Sequence, residues 1–78
     1  MPVVEITRSI DARGLSCPMP IVKTAQAVKL MVSGQLLEVL ATDAGSTKDF
    51  AAWCKTTGNE LVESSVEGGV YRFVLRRK

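Results

Sequence analysis

Two prolines one residue apart, Pro18 and Pro20, head a run in which Ile21, Val22, Ala25, Val28 and Val32 recur at helical spacing. Proline lacks an N–H and breaks a helix interior. It is tolerated in the first turn, where N–H groups have no acceptor within the helix. The pair therefore fixes where a helix starts. The spacing predicts a helix from Pro18 to Val32, with Lys23, Gln26 and Lys29 on its polar side and Ser33-Gly34 as its stop. On this reading Cys17 is the N-cap, with Pro18, Met19 and Pro20 filling the first three helical positions.

The flanking segments follow from the same rules. Residues 3–10 carry β-branched side chains and read as a strand, which Asp11-Ala12-Arg13-Gly14 interrupts. Gln35 to Thr42 is an apolar-rich run of strand length. A second helix is expected from Ser46, a capping residue with Asp49 three positions on. It carries Phe50, Trp53, Cys54 and Thr57 on one side and ends at Gly58. Leu61–Glu67 and Val70–Arg76 read as two strands joined at Gly68-Gly69, with Tyr71, Phe73 and Leu75 on one face of the last. The order βαβαββ predicts one domain over residues 1–78. It is an α/β two-layer sandwich with two helices on one face of a four-stranded mixed sheet. Chains this short bury only about 60% of the surface their unfolded form exposes. Chemistry is therefore expected on the surface or at an interface, with the second sheet face partly open.

The apolar fraction of 46% and charged fraction of 23% are those of a globular chain. A net charge of +2 is too small to argue for nucleic acid, and Arg72, Arg76, Arg77 and Lys78 read as a solvated basic end. No stretch approaches the ~18 apolar residues of a membrane span. Met1-Pro2-Val3-Val4-Glu5 has neither the basic start nor the apolar core of a signal peptide. These features point to the cytoplasm, where thiols stay reduced. With no histidine and two widely separated cysteines, neither a zinc motif nor a Cys–His dyad can form, so no metal is expected.

A thiol at a helix start feels the positive end of the helix dipole, which favours the thiolate. Because Pro18 and Pro20 offer no N–H, the sequence implies a modest lowering of the Cys17 pKa, with Arg13 and Lys23 adding positive potential. The alternative is a small apolar residue filling a helix start. Cys54, beside Phe50 and Trp53, reads as a core thiol, against the alternative of a resolving partner for Cys17. Asp11 reads as a brace for its loop. Arg13 is suited to an anionic group or an acidic partner, or is a plain surface residue; Met19 and Met31 are packing or contact residues, and Trp53 belongs to the core.

The run Asp11-Ala12-Arg13-Gly14-Leu15-Ser16-Cys17-Pro18-Met19-Pro20 resembles the signature of the TusA (SirA-like) sulfur-carrier family. Its core is Gly14-x-x-Cys17-Pro18-x-Pro20, and the length and βαβαββ order match over nearly the whole chain. The resemblance implies a sulfurtransferase-like carrier. Cys17 would take sulfur as a persulfide or thiosulfonate from a cysteine desulfurase or rhodanese-like donor. It would then pass it to a relay protein, a tRNA-thiolation enzyme or a sulfur-oxidation system. Asp11, Arg13, Gly14, Pro18, Met19 and Pro20 are the supporting motif positions, and Met19 stands where such motifs often carry an acid. No cofactor is implied, and a monomer that docks transiently suits the role. Two other readings stay open. One is a dithiol redox protein using Cys17 and Cys54, which the lack of a Cys-x-x-Cys arrangement disfavours. The other is a regulatory or RNA-binding module stacking bases on Tyr71 and Phe73, although no aromatic-basic RNA motif is present.

Overall fold

The computed structural model describes residues 6–78. The elements are β1 (Ile6–Ala12), α1 (Met19–Lys29), β2 (Leu36–Ala41), α2 (Ser46–Thr57), β3 (Glu60–Glu67) and β4 (Val70–Arg76). Of the strand expected over 3–10, the first three residues lie outside the described residues; the rest belongs to β1, which runs on to Ala12. The sheet order is β1-β2-β4-β3, with β1 parallel to β2 and the other two pairs antiparallel. A mixed sheet results because helix α1 carries the chain back to start β2 beside β1, whereas the glycine pair permits a direct reversal from β3 to β4. Gly68 and Gly69 have φ of 57° and 77°, the two left-handed positions of a tight hairpin.

Both helices cover one face of the sheet. Alternation along the strands sends Leu37, Val39 and Ala41 of β2 and Phe73 and Leu75 of β4 toward them. There they meet Ala27 of α1, Met31 just beyond it, and Phe50 and Cys54 of α2. Phe50 and Phe73 are fully buried and stack with ring centroids 4.4 Å apart. Tyr71 packs against the same cluster. The two aromatics proposed to stack RNA bases therefore face the helices, which removes the platform that reading needs.

Helix α1 ends at Lys29, earlier than the apolar spacing suggested. Its last turn tightens, with the N–H groups of Leu30 and Met31 bonding three residues back to Ala27 and Val28. Leu30 and Val32 are left exposed. Helix α2 also starts differently from the capping expectation. Gly45 is the N-cap, Ser46 is buried, and the Ser46 hydroxyl has no hydrogen-bond partner among the described residues. Asp43 braces this turn instead. Its Oδ1 accepts from Gly45 N–H at 3.1 Å, and its carbonyl accepts from Ser46 N–H at 3.0 Å.

The opposite face of the sheet is laced by charge. Ser9 Oγ donates to Glu38 at 3.1 Å, and Arg72 joins Glu38 at 2.6 Å to Glu63 at 2.7 Å, so the chain of contacts crosses all four strands. Arg76 pairs with Glu60 at 2.9 Å. Val74, which register places between Glu38 and Glu63, is only 1% exposed on this nominally open face. Two of the four basic residues near the C-terminus are thus held in ion pairs, and Arg77 donates to the Val28 carbonyl.

Arg72 holds the Glu38 carboxyl below its ordinary range. A carboxylate shifted this way stabilises the fold above its unfolded-state pKa, and the contribution is lost as pH falls through the folded-state value. Arg72→Met is accordingly expected to lower stability by about 1 kcal/mol at pH 7, a figure kept small by solvent screening of the pair. The difference from the parent protein should shrink at pH 3. Urea unfolding at both pH values checks this, and a pH-independent difference would show that the ladder acts through packing alone.

Candidate functional site

Because β1 and β2 are parallel neighbours with Ala12 opposite Ala41, the segments that follow them leave the same end of the sheet side by side. Side-chain bonds tie them together. Gly14 N–H donates to Thr42 Oγ1 at 2.9 Å, and Cys17 N–H donates to Asp43 Oδ2 at 2.8 Å. Asp43 therefore serves both segments, one oxygen on the Cys17 amide and the other on the start of α2. Within the first segment, Asp11 grips Arg13: Oδ1 accepts from the Arg13 amide at 3.1 Å and from Nε at 2.8 Å, and Oδ2 from a terminal nitrogen at 2.9 Å. The guanidinium beside it lowers the Asp11 pKa to about 2. Gly14, at φ 81°, supplies the left-handed step that turns the chain toward Cys17.

The structure puts the thiol one residue further from the helix than the spacing suggested. Pro18, not Cys17, is the N-cap of α1; Met19 and Pro20 open the helix, and the Cys17–Pro18 peptide bond is cis. Pro20 is buried, and its carbonyl accepts from Thr24 Oγ1 at 2.8 Å. Met19 and Val22, on one side of the first turn, are 43% and 38% exposed and give the neighbourhood an apolar rim.

The expected lowering of the Cys17 pKa is corrected. The thiol is exposed, and its pKa is raised. The largest cause is the neighbouring Asp49 carboxylate, which favours the protonated thiol, followed by desolvation and the charges of Asp49 and Asp43. The dipole offers little against this. Pro18 and Pro20 have no N–H, and the Met19 N–H is already taken by the Ser16 carbonyl at 2.9 Å. Arg13, counted on for positive potential, is paired to Asp11.

Cys54 has the opposite setting. It is 4% exposed in the core on α2, and burial pushes its thiol up to about 11. It lies five residues beyond Asp49 along the helix, about 7.5 Å of axial rise. The dithiol reading needs a Cys54 free to reach Cys17, and this packing does not provide one.

Asp43 and Asp49 are the residues the motif missed. Asp49 is visible in the sequence only as a first-turn helix acid. Asp43 carries a signal too, as an Asp followed by Ala44-Gly45 after a strand, a turn-forming pattern. What links both to Cys17 is the parallel pairing of β1 and β2.

Together these features make a small α/β sandwich that presents one exposed thiol on a braced loop at one end of its sheet. A family model described as sulfurtransferase TusA matches residues 8–77. The chain is 47% identical over 75 residues to the sulfur carrier protein TusA of Allochromatium vinosum, covering 96% of this chain and 99% of that protein. It is 39% identical to the sulfur carrier protein TusA of Pseudomonas paraeruginosa, covering 88% of this chain and 87% of the relative. Among solved structures, a SirA-like protein from Desulfitobacterium hafniense shares the fold with a TM-score of 0.79. It is 24% identical, over 90% of this chain and 96% of that one. The chain belongs to the TusA family of sulfur carriers. Among the described residues, no helix is long and apolar enough to cross a membrane.

Proposed function

We propose that Cys17 is the thiol that carries sulfur, taking it as a persulfide (or as a thiosulfonate, where that is the group delivered) and handing it to an acceptor protein. The observation that carries this reading is the contrast between the two thiols: Cys17 is exposed on a braced loop and Cys54 is buried. The Cys17 sulfur attacks the outer sulfur of a donor persulfide. A new S–S bond forms to Cys17, the donor S–S bond breaks, and the donor thiolate leaves. The proton lost by Cys17 ends on that leaving thiolate. A thiol and a persulfide thus become a persulfide and a thiol, and the step consumes no external oxidant. Hand-over repeats the exchange, with the acceptor thiolate attacking the outer sulfur held on Cys17.

A cysteine desulfurase or a rhodanese-like protein fits as donor, and a relay protein feeding tRNA thiolation or sulfur oxidation fits as acceptor. The chemistry suits a compartment that keeps thiols reduced, such as the cytoplasm. The test is intact-protein mass after incubation with a cysteine desulfurase and cysteine, and separately with polysulfide. The expected result is a gain of one sulfur that reductant removes. A mass unchanged with every donor would reject the proposal.

A further inference from the structure

β1 lies at one edge of the sheet and pairs with β2, so its outer row of N–H and C=O groups has no strand partner among the described residues. Its inner pairing is regular from Arg8 to Ala12. Alternation puts Arg8 and Ile10 on the same face as buried Ala12, the face that α1 covers. The chain returns through α1 antiparallel to β1, and Lys23, Ala27 and Leu30 form the stripe beside the strand. A groove results between strand edge and helix, lined by Arg8, Ile10, Lys23, Ala27 and Leu30. Ile10 and Ala27 give it an apolar floor, and Leu30 stands 71% exposed at one end.

The charge in this groove is of one sign. Arg8 and Lys23 are exposed, and among the described residues neither forms an ion pair, whereas Arg13, Arg72 and Arg76 do. Asp11, on which the Lys23 charge acts, is already held by Arg13. A second copy is a poor occupant. Its β1 would bring like charges together, and on its β3, the other edge strand, Glu60 and Glu63 are committed to Arg76 and Arg72. An acidic strand from elsewhere meets no such conflict.

We infer that the groove between β1 and α1 is a docking site for an extended acidic segment of another protein, which adds to the sheet beside β1 with its carboxylates against Arg8 and Lys23. Backbone pairing along the free edge supplies the hold, and the two cations supply the selectivity. Alternate residues of a strand share a face, so acids two positions apart all point toward α1. The site is separate from sulfur transfer itself. It lies on the flank of the sheet, and β1 runs from it through Ala12 into the loop that carries Cys17.

The test is a titration of the isotope-labelled full chain, followed by amide chemical shifts, with a short peptide of alternating glutamate and valine. A lysine–valine peptide and a backbone N-methylated glutamate–valine peptide are the controls. The glutamate–valine peptide is expected to shift the amides of Arg8–Ala12 and of Lys23–Leu30, while neither control does. The double variant Arg8→Glu/Lys23→Glu should bind the glutamate peptide about tenfold more weakly, since two favourable exposed pairs become repulsive, and should bind the lysine peptide instead. Parent shifts that are absent at millimolar peptide, or equal for glutamate and lysine peptides, would overturn the inference, and this comparison decides even if the variant fails to fold. Equal binding of the N-methylated peptide would remove strand addition and overturn it too. So would β1 shifts that follow protein concentration alone, which would put a second copy on the edge. No sulfur donor enters the titration, so its failure leaves the reading of Cys17 standing, and a carrier that takes no sulfur leaves this result standing.

Discussion

Cys17→Ser is expected to abolish sulfur uptake from both desulfurase and polysulfide, while Cys54→Ala takes up sulfur as the parent does. The contrast follows from exposure and charge state. A serine hydroxyl cannot accept sulfane sulfur, and Cys54 is buried with its thiol pushed up to about 11, so almost none of it is thiolate at neutral pH. The effect is complete loss against near-parental loading, read by intact mass. Loading that survives in Cys17→Ser and disappears in Cys54→Ala would reverse the assignment of the two thiols. Cys54→Ala removes a small apolar group from the core and lowers stability by about 1 kcal/mol, which leaves a folded protein to assay.

The largest structural effect is expected at the stacked pair Phe50 and Phe73. Both rings are fully buried, and they join α2 to the central strand β4. A Phe→Ala change in a core lowers stability by about 3–5 kcal/mol through lost transfer energy and the cavity left behind. Native domains hold roughly 0.05–0.15 kcal/mol per residue, which for a chain of 78 residues is about 4–12 kcal/mol. Phe73→Ala therefore removes a large share of the total. Its thermal midpoint should fall by more than about 12 °C, taking 4 °C per kcal/mol as the lower slope for a small domain. Phe73→Leu, which keeps most of the volume, should lose far less. A Phe73→Ala midpoint within a few degrees of the parent would mean that α2 is not held to the sheet through this pair.

The parts of this structure written in local sequence were readable from it. Pro18 and Pro20 placed the start of α1 to within one residue, Gly68-Gly69 placed the hairpin, and alternation along β4 separated Tyr71, Phe73 and Leu75 from Arg72 and Arg76. The candidate thiol was legible for the same reason, since its identity and its place ahead of the helix are local facts. Its electrostatics were not. Asp43 and Asp49 lie more than twenty positions beyond Cys17 and reach it only because β1 and β2 pair in parallel. A reading confined to the motif weighs the helix dipole and the nearby Arg13, and so arrives at the wrong sign for the thiol pKa. The capping expectation at Ser46 failed similarly: Asp43, outside the helix pattern, braces the turn just ahead of α2. The burial of Val74 follows from the same kind of cause, an ion-pair ladder assembled from three strands, β2, β4 and β3.

The measurement that bears most directly on Cys17 as the sulfur carrier is peptide mapping of the adduct after the parent protein is loaded by a cysteine desulfurase with cysteine. The expected result is one added sulfur on the peptide containing Cys17, removed by reductant, with the Cys54 peptide unmodified. Sulfur found on Cys54, or no adduct on either cysteine, would contradict it.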